Sequence, residues 1–183
     1  MTGRALTRVL PALLGMFLGA LAIDACRDPD TSRNALASID SVLTVSGRRV
    51  PPAILNRYVA DNEGFTSRNG EMRCAYVPLG VERDRVFLTT LCLELVDAGD
   101  SLVTGSGRGM PIALKIVIDS NTVRVVSHQA PEDGNRYLPS VRRIFPPAIV
   151  DRIIEPGSEH NARVVMLEAY LRGDAAARLG LRP

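Results

Sequence analysis

The sequence contains no tryptophan, only two histidines and a single lysine, Lys115. Aromatic residues make up 4% of the chain, so side chains on which nucleic-acid bases stack are scarce. The formal net charge of +2 is too small to attract nucleic acid or an anionic membrane through a long-range field. With only His128 and His160 present, metal ligands and general bases are few. We therefore expect no nucleic-acid partner, no metal site and no cofactor.

Internal repeats, heptads and low-complexity tracts are also missing, which argues against a repeat scaffold. The remaining composition is that of a globular protein, with 46% hydrophobic and 23% charged residues. A chain of 183 residues is long enough for one domain with one core.

The first 25 residues have the composition of an export signal. Arg4 and Arg8 precede an uncharged run from Val9 to Ile23, and small residues follow it. The run contains Pro11 and is shorter than the roughly 20 apolar residues of a membrane span. We therefore predict a signal peptide over residues 1–25 and an extracytoplasmic protein that is secreted, periplasmic or membrane-anchored.

Cys26 directly follows this segment. The run that ends at Cys26 resembles a bacterial lipoprotein signal, in which an aliphatic residue three positions earlier and a small residue just before the cysteine direct a lipid to the thiol. Ile23 and Ala25 fit this pattern, whereas Asp24 departs from it. Two alternatives stay open: lipidation of Cys26, or cleavage by ordinary signal peptidase after Ala22 or after Ala25.

The three cysteines cannot all pair with one another. If Cys26 carries a lipid, Cys74 and Cys92 remain as a pair, and exported chains favour paired thiols. A bridge between them would close a loop of about 18 residues and stabilise the fold by roughly 3 kcal/mol. The alternative is two small buried hydrophobic side chains that do not meet. We predict the disulfide Cys74–Cys92.

An antiparallel meander is predicted for the middle of the chain. Apolar side chains recur at every second position, as they do in strands, over the runs Arg85–Val96, Pro111–Asp119 and Thr122–Gln129. Both faces of the first run are apolar, which favours a central strand. A weaker strand, Met72–Leu79, precedes these runs, and its Pro78 favours an edge position.

The segment from Asp97 to Met110 is rich in glycine and serine. Such a run cradles phosphate when a helix follows it, but here Pro111 and a strand follow. Ser106 also lacks the surroundings of a nucleophile elbow. We therefore predict a flexible hairpin connection without a catalytic role.

Helical spacing of apolar residues predicts several short helices outside the meander. Their expected positions are within 27–47, from Pro51 to about Asn62, on both sides of Pro146–Pro147, and from about Glu159 to Leu171.

We predict an α+β fold: an antiparallel sheet of about four strands with short helices packed on one face. Cystatin-like and NTF2-like architectures are compatible with this arrangement by analogy. The expected organisation is a tether with a short helix at 26–50, a single domain at 51–172 and a frayed tail at 173–183.

A family resemblance lies between Pro131 and Pro146. The signature resembles the closing segment of small, uncharacterised secreted or lipid-anchored bacterial proteins, and its residues are Pro131-x-Asp133-Gly134-x-x-Tyr137 followed by Ile144-Phe145-Pro146. The resemblance covers about 76–154. It implies an exported α+β domain and carries no catalytic residues across.

His128 is the main candidate for chemistry. Glu132 and Asp133 follow it closely, and a carboxylate–histidine pair can serve acid–base catalysis. Asp133-Gly134 is, however, also an ordinary turn pair, and His160 falls in the first turn of a helix. We therefore favour a non-catalytic module that binds another envelope protein or a polymer. The alternative is a small extracytoplasmic hydrolase using His128 with Asp133 or Glu132. Membrane contact is expected only through the signal peptide or a lipid on Cys26.

Overall fold

The computed structural model describes residues 43–67, 69–120, 122–155 and 159–181. The predicted signal peptide, Cys26 and most of the predicted tether lie outside the described residues. Within them the strands are β1 (Leu43–Val45), β2 (Arg48–Val50), β3 (Glu71–Glu82), β4 (Arg85–Asp97), β5 (Leu102–Ile118) and β6 (Val123–Gln129). The helices are α1 (Pro52–Glu63), α2 (Tyr137–Ile144), α3 (Pro147–Ile154) and α4 (Glu159–Leu179).

Strands β3 to β6 form one antiparallel sheet in sequential order, and β1 pairs with β2 in a separate hairpin. The predicted α+β fold with a four-stranded meander is therefore confirmed. β4 is a central strand, buried along almost its whole length, and β3 lies at an edge. Both placements agree with the sequence, because β4 has two apolar faces and Pro78 of β3 lacks an amide hydrogen.

Both faces of the sheet are covered. Tyr76 and Leu88 face α1 and the β1–β2 hairpin, and they pack there with Leu55 and Val59. The neighbouring residue Val77 points to the opposite face, which α2, α3 and α4 cover. The predicted arrangement placed the helices on one face only, and α1 is the exception. It lies on the other side because alternating residues of β3 and β4 give the sheet a second apolar face.

The β1–β2 hairpin belongs to the folded domain, which therefore begins by residue 43 and not at 51. Ser46 and Gly47 have φ angles of 50° and 76°, as in a two-residue hairpin turn. Val45 and Val50 are buried in the core beneath it. Leu43, which falls within the range 27–47 where a helix was predicted, is instead the first residue of β1. The rest of that predicted helix lies outside the described residues.

The glycine-rich segment is a strand, so its prediction as a flexible loop is wrong. The connection is confined to the turn between Ala98 and Ser101, and β5 runs without interruption from Leu102. A Cβ atom on Gly107 would lie 2.8 Å from Cδ2 of Leu93, its partner across the ladder. Gly107 therefore has no room for a side chain, because the side chain of Leu93 on the neighbouring strand covers its backbone.

The last helix is longer than predicted. α4 ends at Leu179 and not near Leu171, so 173–179 of the predicted frayed tail is helical. Ala175 and Ala176 are buried against β4 and β5, and this packing stabilises the final turns. The prediction that Pro146–Pro147 separates two short helices is confirmed by α2 and α3.

The predicted disulfide is confirmed. Cys74 of β3 and Cys92 of β4 are directly opposite in the ladder and form a bond that closes a sequence separation of 18 residues. Such a bridge is consistent with an oxidising environment outside the cytoplasm. Among the described helices, none is both long and apolar enough to cross a membrane.

Candidate functional site

A groove of about 330 Å³ lies between α1 and the edge strand β6. We call it the α1–β6 groove, and its lining residues are Ala53, Ile54, Arg57, Tyr58, Asp61, Val123, Arg124 and Val125. Ile54, Val123 and Val125 are only half-buried, and their exposed parts make the lining of the groove mainly apolar. A concave apolar surface with a few polar groups is the usual form of a binding site.

The groove exists because of how α1 meets the sheet. Leu55 and Val59 point directly into the core and are fully buried. Ile54 and Tyr58 each precede one of these buried residues in the sequence, so their side chains project from a neighbouring face of α1. There they face β6, at the margin of the contact between the helix and the sheet. Among the described strands, none lies beyond the edge strand β6. The result is an open channel with an apolar floor.

Charged side chains stand at the rim of the groove. Arg57 and Asp61 are exposed and make no ion pair with any residue that the structure describes. Arg124 is 3.5 Å from Asp119, and both of these side chains are more than half exposed. An exposed pair of this kind contributes little stability, so both arginines are accessible to a ligand.

At one end of the groove, Tyr58 belongs to a cluster with His128 and Glu63. The Tyr58 hydroxyl is 2.8 Å from Nδ1 of His128, and Nε2 of His128 is 3.3 Å from Oε1 of Glu63. Glu63 is 3% exposed, and its Oε1 atom has no well-aligned hydrogen bond to any residue that the structure describes. The arrangement that suits both contacts has the hydroxyl donating to Nδ1 and a hydrogen on Nε2 facing the carboxyl group.

Burial raises the pKa of Tyr58, and the charge of Glu63 raises it further. The phenol therefore keeps its proton and acts as a hydrogen-bond donor. In its arrangement the cluster resembles a carboxyl–histidine–hydroxyl triad, in which the carboxyl group orients a histidine that is hydrogen-bonded to a hydroxyl. It also joins the last turn of α1 to β6, which is a structural role.

His128 lies on the α1 side of the sheet, whereas strict alternation along β6 would place it on the same face as Arg124 and Val126. Lys115 pairs with Ser127 but Ile116 pairs with Val125, so Val126 is an extra residue in the ladder. Such a bulge exchanges the faces of the residues that follow it. His128 consequently points to the same side as Val125, toward Tyr58.

Glu132 and Asp133, the predicted carboxylate partners of His128, do not contact it in the structure. Glu132 binds Arg136 at 2.9 Å and Arg143 at 2.7 Å. The hydrogen bond from Arg143, followed by the charge of Arg136, lowers the pKa of Glu132. Asp133 precedes a turn of 3-10 helix and makes no side-chain cap. The carboxylate that contacts His128 is Glu63.

Glu63 and Tyr58 were missed as site residues, although a signal for Glu63 exists in the sequence. Leu55, Val59 and Glu63 are spaced by four, so they share one face of α1, and that face is the buried one. A carboxylate at the end of a buried helical stripe needs a partner. Which residue supplies that partner depends on the bulge in β6.

Two other polar groups in the core are structural. His160 is 8% exposed, and its Nδ1 lies 2.9 Å from the hydroxyl of Thr89, while burial lowers its pKa. Buried Glu94 accepts hydrogen bonds from the Ser67 hydroxyl at 2.7 Å and from the Ser106 amide at 3.3 Å. Ser106 thus supports the β4–β5 pair through its backbone. No group of three or more potential metal-ligating side chains is found among the described residues.

Comparison with protein-family models, with curated proteins and with solved structures finds no match to this chain.

Proposed function

We propose that this protein is an exported binding module and that the α1–β6 groove is its ligand site. The observation that carries the proposal is the half-buried apolar floor of the groove, formed by Ile54, Val123 and Val125. Beside it stands Arg57, which has no ion pair among the described residues. Apolar side chains left in a concave, open surface gain free energy when a ligand covers them.

Export is supported by three features of the chain. Residues 1–25 have the composition of a signal peptide, and the Cys74–Cys92 bridge favours an oxidising compartment. The signature between Pro131 and Pro146 resembles that of secreted or lipid-anchored bacterial proteins. A lipid on Cys26 would hold the module at a membrane surface, where its partner is another envelope protein or a polymer.

Site-specific photo-crosslinking in the native host tests this proposal. A photoreactive amino acid is placed at Arg57, in the groove, or at Ala162, an exposed position on α4 on the opposite side of the sheet. The proposal predicts a discrete crosslinked product from position 57 and none from position 162. Equal crosslinking from both positions, or none from position 57, contradicts it.

A second candidate function is a small extracytoplasmic hydrolase that uses His128. The specific observation in its favour is that His128 lies between the buried carboxyl group of Glu63 and the hydroxyl of Tyr58. Hydrolysis of a p-nitrophenyl ester by the purified protein tests this candidate. A rate that falls at least 100-fold in His128→Asn supports it, because general-base catalysis typically contributes 10²–10⁴-fold. An unchanged rate removes it.

A further inference from the structure

We propose that the occupant of the α1–β6 groove is an extended polypeptide segment of a partner protein, which adds to the sheet as a fifth strand along β6. This inference rests on the proposed binding function and names the class of partner. It follows from the direction of the backbone groups of β6, from the side chains beside them and from the contrast with the other edge of the sheet.

The amide and carbonyl groups of Val125 point away from the sheet. Val125 pairs with Ile116 of β5, and the Ile116 amide donates to the carbonyl oxygen of Asp84 on the opposite side of β5. The Ile116–Val125 pair is therefore of the non-hydrogen-bonded kind. Because the kinds of pair alternate, Val123 has the same orientation, whereas Arg124 bonds to β5. Two residues of β6 thus present donors and acceptors to an incoming strand.

The same two residues place their side chains on the floor of the groove. Val123 and Val125 lie there opposite Ile54 and Tyr58 of α1. A strand that pairs with β6 would direct every second side chain toward α1, since successive residues alternate in direction. One apolar side chain of that strand would therefore enter the groove while its backbone completes the ladder. This combination is the usual mode of peptide recognition by strand addition.

The opposite edge of the sheet is obstructed between Pro78 and Gly80. In β3, Pro78 lacks an amide hydrogen, and the ladder is irregular between Pro78 and Gly80. Arg163 donates to the carbonyl oxygen of Pro78, and Arg152 donates to that of Leu79. Within the part of the chain that the structure describes, no side chain is bonded to the backbone of β6. Of the two edges, β6 is therefore the one that the described residues leave unobstructed.

The bulge and the rim charges define the partner segment further. Val126 interrupts the regular register, so the added strand pairs mainly with Val123–Val125 and is short. Arg57 and Arg124 flank this stretch. Arg124 has Asp119 at 3.5 Å and Asp61 adds a second carboxylate, whereas Arg57 has no ion pair among the described residues. The guanidinium of Arg57 therefore favours a segment with a bulky apolar residue next to an acidic one.

Peptide probes with modified backbones test the inference. Nine-residue peptides are selected from a random display library against the purified full-length protein. We then measure affinities for derivatives that are N-methylated at every second amide, in each of the two possible registers. Strand addition predicts that one register weakens binding at least tenfold while the other has little effect, because only alternate amides of an added strand face β6. Equal effects in both registers overturn strand addition.

Variants of the protein complete the test. Val125→Pro removes the amide that points outward, and we expect it to weaken peptide binding at least tenfold, whereas Val125→Ala keeps the amide and should weaken it less. If Val125→Pro does not fold, Ile54→Glu fills the groove with charge and should weaken binding likewise. Unchanged affinity in Ile54→Glu overturns the inference.

The remaining outcomes separate this inference from the proposed function. If position 57 crosslinks to a polymer and no peptide is selected, the proposal of a peptide occupant is overturned, but the proposal that the groove is a ligand site is supported. A concentration-dependent dimer that Val125→Pro abolishes assigns the edge to a second copy of this chain and also overturns the inference. Failure of both the crosslinking and the peptide selection contradicts the proposed function itself.

Discussion

The hydroxyl of Tyr58 lies 2.8 Å from Nδ1 of His128, and this contact joins α1 to the edge strand β6. The two rings also meet edge to face, with their centroids 5.7 Å apart. Because Tyr58 lines the α1–β6 groove, the contact fixes the spacing between the helix and the strand. The geometry of the proposed site therefore depends on a pair of residues separated by 70 positions in the chain.

Replacing Tyr58 by phenylalanine removes this hydrogen bond while keeping the ring. We expect Tyr58→Phe to lower the free energy of unfolding by about 0.5–1.5 kcal/mol, the usual net contribution of one hydrogen bond. Urea denaturation provides the measurement. Tyr170→Phe is the matched control, since no hydrogen bond of the Tyr170 hydroxyl is present among the described residues. Equal losses in the two variants contradict the role given to the Tyr58–His128 contact.

His160 makes stability depend on pH. Burial lowers its pKa from the ordinary value of 6.5, so the folded state binds a proton less readily than the unfolded chain. The free energy of unfolding should therefore fall as the pH drops below 6.5 toward the lowered folded-state pKa, and the contribution is fully present above 6.5. His160→Gln cannot take up this proton and should lose less stability between pH 7.5 and 5.5. Identical pH profiles for the two proteins would show that His160 does not contribute.

The Cys74–Cys92 bridge should account for a large part of the stability. It closes 18 residues, which corresponds to roughly 3 kcal/mol in the chain-entropy model. We expect a chemical reductant to lower the free energy of unfolding of the wild-type protein by about this amount. The double variant Cys74→Ala, Cys92→Ala should be insensitive to the reductant. A wild-type protein that is equally stable with and without the reductant contradicts this estimate.

Two glycines give opposite predictions for the same substitution. A Cβ atom on Gly70 would overlap the backbone carbonyl of Leu95, so Gly70→Ala should destabilise the protein by about 1–3 kcal/mol. A Cβ atom on Gly173 in α4 meets nothing within 4 Å, so Gly173→Ala should stabilise it by about 0.5–1 kcal/mol. Thermal or urea unfolding of both variants checks the pair. A stabilising effect of Gly70→Ala would contradict the close approach of Gly70 to the backbone carbonyl of Leu95.

Much of the fold was predictable because it follows from local periodicity. Alternating apolar residues define β4 and the second half of β5, and Pro78 correctly places β3 at an edge. Pro146–Pro147 separates α2 from α3 for a local steric reason. These features depend on the residues of one element and not on its neighbours.

The remaining features depend on contacts between distant parts of the chain. From the sequence, Gly107 is typical of a loop. Only the structure shows that it lies in a strand, with the side chain of Leu93 covering its backbone. Ala175 and Ala176 are good helix formers, but the preceding Gly173 weakens the helical pattern, and their burial against the sheet is not visible in the sequence. His128 points toward Tyr58 only because Val126 is a bulge, and one extra residue in a ladder leaves no distinct pattern in the sequence. The candidate site was missed for that reason.

Amide hydrogen exchange at Val125 is a direct test of strand addition at β6. In the free protein its amide points away from β5, so it should exchange faster than the Arg124 amide, which bonds to β5. When a selected peptide is bound, we expect the Val125 amide to become protected and the exchange of the Arg124 amide to change little. A bound peptide that leaves the Val125 amide unprotected would contradict strand addition at β6.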